Sequence, residues 1–239
     1  MKTFQIIPTA DAIKSEELLG KTAVVIDVLR ATSVIVTALQ NGARQIRPVA
    51  EVEEALQMRS ADTLLGGERN AEKIEGFDFG NSPLEYTRDR VMDKEVILTT
   101  TNGTRALSNC SRADLVLTSS FLNYRAVCGY LIRSERPVVL ICAGTNGEFS
   151  LDDFLCAGLM ADFFVDSGSW APNDLVTLAI NSWKAAQPDI HRALASCHHY
   201  NVLKSKGFEA DLRFCLTLDK FDLVPQFDSQ EGTIKILDV

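Results

Sequence analysis

Residues 24–33 have the sequence Val-Val-Ile-Asp-Val-Leu-Arg-Ala-Thr-Ser. Its short run of β-branched apolar residues predicts a buried parallel strand. A helical pattern then begins at Thr32 and ends at Asn41-Gly42. Open α/β sheets bind their ligands where a strand ends beside a helix N-terminus, so Asp27 and Arg30 are candidate site residues. The alternative is that Asp27 only caps the helix and pairs with Arg30.

Strands and helices alternate along the chain on both sides of this stretch. Further strands are predicted at 3–7, 46–49, 63–65, 95–99, 115–118, 137–142, 223–225 and 233–237. A short helix is predicted to end near residue 20, and another is predicted to begin at 82–83. Further helices are predicted over 51–59, 106–110, 120–131, 150–164 and most of 174–206. This order predicts an α/β fold of three α/β/α layers with a mostly parallel, mixed central sheet. We expect one domain over residues 1–239, with a more helical C-terminal third.

Composition limits the classes of function. The 24 Lys and Arg against 32 Asp and Glu leave a net charge of −8, which argues against a nucleic-acid or anionic-membrane partner. A small anionic substrate stays compatible, because clustered arginines can override the net sign. We see no secretory signal, and no apolar run approaches the roughly 18 residues of a membrane-spanning helix, so a cytoplasmic location is expected. The six scattered cysteines, without a CxxC motif, are expected to be reduced core residues.

A polar turn follows the predicted strand at 95–99. It offers hydroxyls and backbone N–H groups at a helix start, which suits a phosphate or a sulfonate. The candidate anion-binding residues of this turn are Thr100, Thr101, Asn102, Gly103 and Thr104. The alternative is a polar turn that only caps its helix. The turn is not a Walker loop, and no GxGxxG follows a strand, so nucleotide binding is weakly supported.

Four acidic residues lie at such turns, and the ends of parallel strands meet at one edge of a sheet. They are Asp27, Glu68, Asp152 and Asp153. Carboxylate oxygens at strand ends suit Mg²⁺, which takes one or two carboxylates and keeps several waters. Two alternatives stay open: acids at 152–153 also complement a helix dipole, and Glu68 could form a surface pair with Arg69.

The sequence positions of the arginines, the histidines and Cys142 suggest different roles for them. Arg30, Arg69 and Arg105 are candidate anion clamps, because guanidinium binds planar oxyanions bidentately. The histidines at 191, 198 and 199 fall in the helical C-terminal third, away from every glycine turn, so a shared metal site there is not expected. Cys142 has no histidine nearby in sequence to activate it and is expected to be a core residue.

Seven segments taken together give the chain a family resemblance. They are residues 25–33, 65–69, 79–83, 100–104, 120–123, 142–147 and 151–153. In this order they resemble the 2-phosphosulfolactate phosphatase family, the Mg²⁺-dependent acid phosphatases of the coenzyme M pathway. The resemblance implies hydrolysis of (R)-2-phospho-3-sulfolactate to 3-sulfolactate and phosphate. It carries no functional residue over from the last third of the chain.

The resemblance also implies roles for residues in the matching motifs. Asp27, Arg30, Asp152 and Asp153 are expected to be catalytic, and Mg²⁺ ligands are expected at Asp27, Glu68 and Asp152. Outside the threonine turn, the expected substrate-binding residues are Arg69, Asn81, Ser82 and Asn123.

Asp27 has two possible roles, as a metal ligand or as a nucleophile that attacks phosphorus. Phosphatases with a nucleophilic Asp commonly have a second Asp two residues later as the general acid, and that position here is Leu29. We therefore favour a metal ligand with a metal-activated water attacking directly.

Three other functions stay open from the sequence. The protein could hydrolyse another small phosphorylated acid, bind anions as a non-catalytic regulator, or be a purely structural subunit. The sequence leaves open the physiological substrate, the metal count, a phosphoenzyme intermediate and the oligomeric state, a homodimer included.

Overall fold

An eleven-stranded sheet organises the chain, of which the computed structural model describes residues 2–168 and 170–237. The strands are β1 (Lys2–Ile7), β2 (Thr22–Ile26), β3 (Gln45–Pro48), β4 (Thr63–Arg69), β5 (Glu72–Lys73), β6 (Glu95–Thr99), β7 (Leu115–Ser119), β8 (Val138–Cys142), β9 (Trp170–Ala171), β10 (Pro225–Asp228) and β11 (Thr233–Ile236). The α-helices are α1 (Ala31–Gln40), α2 (Val52–Gln57), α3 (Arg88–Val91), α4 (Gly103–Asn109), α5 (Tyr124–Arg133), α6 (Leu151–Asp166), α7 (Asp174–Ala186), α8 (Ile190–Leu194), α9 (His198–Ser205) and α10 (Glu209–Cys215).

The sheet contains two parallel blocks that run in opposite directions. Its strand order is β5-β4-β6-β3-β11-β10-β7-β2-β8-β1-β9. One block is β4-β6-β3 and the other is β7-β2-β8-β1-β9. The hairpin β10–β11 lies between them, and three successive antiparallel pairings reverse the strand direction. Six of the ten strand pairings in the described residues are parallel, which confirms the predicted mixed, mostly parallel sheet.

Helices cover both faces of the sheet, as predicted for three layers. On one face Val24 and Leu140 share an apolar core with α5, α6 and α7. On the other face Val25 and Ile141 pack in a core with α1 and α4. Alternate residues of β2 therefore enter different cores, which follows from the two-residue repeat of a strand. No helix within residues 2–168 and 170–237 is long and apolar enough to cross a membrane.

The stretch at 24–33 folds largely as predicted, with one shift at the helix start. All five residues of β2 are buried, and α1 begins at Ala31 with Arg30 at the N-cap position. Thr32 Oγ1 donates to the Asp27 carbonyl at 2.8 Å, and Ser33 Oγ donates to the Val28 carbonyl at 2.8 Å. These hydroxyls hold the turn between strand and helix, although neither residue is the cap.

The last third is helical as predicted, but its strands differ from the expectation. The sequence places a strand at 223–225, whereas β10 begins at Pro225 and continues to Asp228. The short edge strands β5 and β9 were not predicted, because two-residue strands carry no periodic pattern. All six cysteines are free, and five of them are buried as expected for core residues, with Cys142 fully buried; Cys197 is only half-buried.

A buried ion pair joins the C-terminal helices to the turn after β2. Arg30 Nη1 donates to Asp211 Oδ2, and the two side chains are 2% and 4% exposed. Ser82 Oγ donates to the other Asp211 oxygen at 2.7 Å. The Phe208 ring stacks on the guanidinium at 4.0 Å. Helix α10 is therefore docked on Arg30 by charge, hydrogen bonding and stacking together.

We expect Asp211→Asn to destabilise the fold by about 3 kcal/mol, because it leaves the buried Arg30 charge without a compensating carboxylate. Asp219→Asn is the matched control, since its partner Arg125 is 58% exposed and such pairs contribute about 1 kcal/mol or less. Urea unfolding of both variants measures the difference. Equal losses would show that Arg30 does not depend on Asp211.

A second prediction concerns the contact between α6 and α7. A Cβ at Gly158 would collide with the Ala179 carbonyl oxygen, so Gly158→Ala should cost about 2 kcal/mol or more of unfolding free energy. Gly129 in α5 has open space around its Cβ position, so Gly129→Ala should stabilise by up to about 1 kcal/mol. The midpoints of denaturant unfolding test both signs.

Candidate active site

A cavity of about 270 Å³ lies where the turn after β2 meets the turns after β4, β6 and β8 and one face of α9. Its walls combine carboxylates, threonine and asparagine side chains, and one face of α9 that is followed by Lys206. The residues that line it are Asp27, Leu29, Arg30, Glu68, Asn70, Ala71, Asn81, Thr100, Thr101, Asn102, Thr145, Asn146, His198, His199, Val202, Leu203 and Lys206. The cavity therefore draws on both parallel blocks of the sheet and on the C-terminal third.

Asp27 lines this cavity and is 6% exposed. Its Oδ1 accepts the Ala31 N–H at 3.2 Å. Burial raises the pKa of the Asp27 carboxyl to about 7; the charges of Asp152 and Glu68 raise it further, while the Ala31 hydrogen bond and Arg30 oppose the shift. In the described part of the chain, no Lys or Arg lies within ion-pair distance of Asp27. Ionised Asp27 is thus a buried charge without a cationic partner.

Glu68 joins the ends of β4 and β6 and also lines the cavity. Its Oε1 accepts the backbone N–H and the hydroxyl of Thr101, both at 3.0 Å. Its Oε2 accepts the Ala71 N–H at 2.8 Å. These three bonds fix the orientation of the Glu68 side chain. Glu68 is therefore placed beside Asp27 rather than in a surface pair.

The two adjacent acids at the start of α6 differ in their surroundings. Asp153 accepts the N–H groups of Val28 and Gly144, at 2.8 and 3.0 Å, and so ties β2 to β8. Burial, followed by the charges of Asp152 and Asp27, raises the pKa of Asp153 well above its usual value. Asp152 accepts a hydrogen bond from Ser150 Oγ at 2.6 Å and faces a second cavity of about 520 Å³. Asp153 lies outside both cavity linings.

Only part of the predicted anion-binding turn at 100–104 lines the cavity. Thr100, Thr101 and Asn102 line it, whereas Gly103 and Thr104 lie behind. The N–H groups of Thr100 and Thr104 bond reciprocally to each other's hydroxyls at 3.3 Å. A Cβ at Gly103 would lie 2.7 Å from the Ala31 Cβ and 2.9 Å from Asp27 Oδ2. Glycine at this position therefore lets α4 approach the Asp27 carboxylate.

The three predicted arginine clamps have separate positions. Arg30 reaches the cavity, but Asp211 already neutralises it. Arg69 donates to the carbonyls of Glu68 and Ala50, at 2.9 and 2.8 Å. Arg105 pairs with Asp11 at 3.1 Å. Arg69 and Arg105 both lie outside the cavity lining.

The other predicted substrate-binding residues, Asn81, Ser82 and Asn123, lie in different surroundings. Asn81 lines the cavity, and its buried Oδ1 has no hydrogen-bond partner among the described residues. Ser82 is engaged with Asp211. Asn123 is fully buried behind β7, where its amide bonds to Ser120, Thr118 and Leu223. Asn81 is thus the member of this set that is free to meet a ligand.

The expectation that the histidines lie away from the site is wrong for two of them. His198 and His199 line both cavities together with Thr145 and Asn146. His199 Nε2 bonds to the Leu29 carbonyl at 2.8 Å, so the first turn of α9 is tied to the loop that follows Asp27. The spacing at 198, 199, 202, 203 and 206 marks one helix face in the sequence, but local pattern cannot show what that face contacts.

Comparison with known proteins identifies the family. The 2-phosphosulpholactate phosphatase family model matches residues 7–230. A protein of Clostridium perfringens (strain SM101), named "Probable 2-phosphosulfolactate phosphatase", is 48% identical over 98% of this chain and 96% of its own length. Proteins with the same name from Clostridium novyi and Caldanaerobacter subterraneus are each 44% identical, over 95% and 93% of this chain and 97% and 94% of their own lengths. The chain therefore belongs to the 2-phosphosulfolactate phosphatase family, a family of phosphoric monoester hydrolases.

Proposed function

We propose that this protein hydrolyses 2-phospho-3-sulfolactate to 3-sulfolactate and phosphate, with Mg²⁺ as cofactor. The observation that carries the proposal is the pair Asp27 and Glu68 in a cavity that also presents polar and cationic groups. The names of the relatives support the substrate, and the cavity supports a small polar ligand. Phosphoryl transfer needs chiefly positioning and charge neutralisation, which such a cavity provides.

The residues present fit Mg²⁺ by their donor chemistry. Asp27 and Glu68 are hard oxygen donors whose charges disfavour each other, and Asp152 adds a third charge nearby. The unpartnered Asn81 Oδ1 and the hydroxyl of Thr100 add neutral oxygens to the same walls. Within the described ranges, no group of three or more His, Cys, Asp or Glu side chains is placed to hold a metal ion, so the carboxylate ligands are two at most. An ion that keeps several of its waters suits such an open set.

Asp27 and Glu68 are the proposed ligands, whereas Asp152, the third ligand predicted from the sequence, faces the second cavity. When bound, Mg²⁺ neutralises charge on the phosphoryl group and lowers the pKa of a water molecule. Asp27 would act as a ligand held at the end of β2 by the Ala31 N–H, and Glu68 holds the threonine turn through Thr101. Asp153 positions both neighbouring turns through Val28 and Gly144.

A second substrate class is favoured by one observation. The cavity that Asp152 faces is walled by Phe149, Leu151 and Cys197 and shares His198 and His199 with the first. A phosphorylated acid with an apolar substituent would fill this space. The main proposal and this variant differ only in the part of the substrate beyond the phosphate.

Phosphate release from a panel of phosphorylated small acids tests the proposal. The panel contains 2-phospho-3-sulfolactate, 2-phospholactate, phosphorylated phenyllactate and p-nitrophenyl phosphate, each with and without Mg²⁺. We expect the highest kcat/KM for the sulfonated acid. A preference for phosphorylated phenyllactate would support the second class, and no hydrolysis of any compound would contradict a phosphatase.

We expect exhaustive EDTA treatment to abolish phosphate release and Mg²⁺ or Mn²⁺ to restore it. The reason is the uncompensated charge of Asp27 and Glu68, which repels an anionic substrate when no cation is bound. Activity before and after dialysis measures the effect. Full activity in the metal-free protein would contradict the proposed cofactor.

Asp27→Asn should abolish activity and yet stabilise the metal-free protein at pH 8. The folded-state pKa is about 7 and the unfolded value 3.8, so the folded state binds the proton more tightly, and stability falls as pH rises from about 4 to 7. The Asn variant has no carboxyl group at position 27 and therefore does not lose this stability. We expect its Tm in EDTA to exceed that of the parent by roughly 5–10 °C at pH 8 and to match it near pH 4.

Asp153→Asn is the matched control for that variant. Asp153 uses both oxygens to accept N–H groups, and an amide offers only one acceptor, so this variant should lose stability. Equal Tm changes in the two variants would show that burial alone, and not the bonding of each carboxylate, sets the effect.

We also propose a cytoplasmic location. The support is that all six cysteines are free and that five of them are buried, which suits a reducing compartment.

A further inference from the structure

The anionic part of the substrate beyond the phosphate needs a cation that the predicted arginines do not supply. Arg69 and Arg105 lie outside the cavity lining, and Arg30 is neutralised by the buried Asp211. A carboxylate or sulfonate next to Asp27 and Glu68 would meet only negative charge. Its binding site is therefore to be sought at a cavity-lining cation that no buried carboxylate neutralises.

The cavity face of helix α9 leads to such a cation. This face carries His198 and His199 at one end, Val202 and Leu203 in the middle, and Lys206 just after the last turn. This face has polar N–H donors at both ends and apolar contacts between them. It is anchored at its first turn, where His199 bonds to the Leu29 carbonyl.

Lys206 lines the cavity and is held in place by two hydrogen bonds. Its Nζ donates to the Asn70 carbonyl at 2.8 Å and to Glu72 Oε1 at 2.7 Å. An ammonium has three N–H donors, so one is left for a ligand. The Glu72 side chain is 75% exposed, and solvent therefore screens its charge more than it screens the buried Asp211 on Arg30. Lys206 keeps more of its attraction for an anion than Arg30 does.

We propose that the cavity face of α9 binds the second anionic group of the substrate, a sulfonate or a carboxylate, and that Lys206 is the specificity-determining residue. This inference rests on the proposed function. It assigns Asp27 and Glu68 to the phosphate and its metal, and Lys206 with the α9 face to the group that distinguishes one phosphorylated acid from another.

Kinetics on three substrates test the inference. They are 2-phospho-3-sulfolactate, 2-phospholactate, which lacks the sulfonate, and the phosphate ester of 2-hydroxypropane-1-sulfonate, which lacks the carboxylate. In Lys206→Met we expect kcat/KM for the full substrate to fall at least about tenfold, chiefly through KM, and Lys206→Arg to recover most of it. The analogue whose kcat/KM falls least in Lys206→Met lacks the group that Lys206 binds.

Lys204→Met is the matched control, because Lys204 is an exposed lysine of the same helix outside the cavity lining. It should leave the ratio of kcat/KM between the full substrate and each analogue unchanged. An unchanged ratio in Lys206→Met, or an equal shift in both variants, would overturn the inference. Thermal unfolding of each variant excludes a general loss of structure.

Calorimetric binding of 3-sulfolactate separates this inference from the proposed function. If the parent protein hydrolyses none of the three esters, the proposed function fails, and binding then decides the inference alone. Weaker binding of 3-sulfolactate to Lys206→Met than to Lys204→Met would support it. No binding to the parent protein, or equal binding to the two variants, would overturn it.

Discussion

The burial of the Asp27 carboxylate at the end of β2 is the constraint on which the rest of the structure depends. A buried charge is costly unless it is paired, and Asp27 has a single backbone N–H on one of its oxygens. The chain around it is held rigid: Thr32 and Ser33 bond to the carbonyls of residues 27 and 28, and Asp153 accepts the Val28 N–H. These bonds hold the backbone on both sides of Asp27 in place and keep its carboxylate in the cavity wall.

The second constraint is the twist of the sheet. In a flat sheet the turns after β2 and β6 would lie at opposite ends of the strands, because the two blocks run in opposite directions. Five strand intervals separate these strands, and the usual twist of about 20–25° per interval accumulates to more than a right angle. The turns can therefore approach, and contacts across them close the site: the Asn146 N–H bonds to Asn102 Oδ1 at 3.0 Å, and Gly103 packs against Asp27.

Local sequence patterns predicted what depends on local structure. The β-branched run and the helix after it place Asp27 correctly, and the polar turn brings Thr100 and Thr101 to the cavity. The position of the β10–β11 hairpin between the two parallel blocks was not predicted, because β11 pairs with β3 through residues 234 and 46, which are far apart in the chain. The partner of Arg30 lies 181 positions away and leaves no periodic signal. The helix face of α9 shows in the sequence, but its contact with the cavity depends on these long-range pairings. The roles of the individual site residues stay predictions.

The two ionisable residues of the motif at 24–33, Asp27 and Arg30, differ in whether a partner compensates their charge. Arg30 is neutralised by Asp211 and stacked on Phe208, so its charge supports the docking of α10 on the sheet. Asp27, three positions earlier, has no such partner among the described residues, and its pKa rises to about 7 as a result of burial. A fold selected only for stability would pair both charges or remove both. Leaving the carboxylate uncompensated while compensating the guanidinium is the pattern expected where the missing positive charge arrives with a ligand.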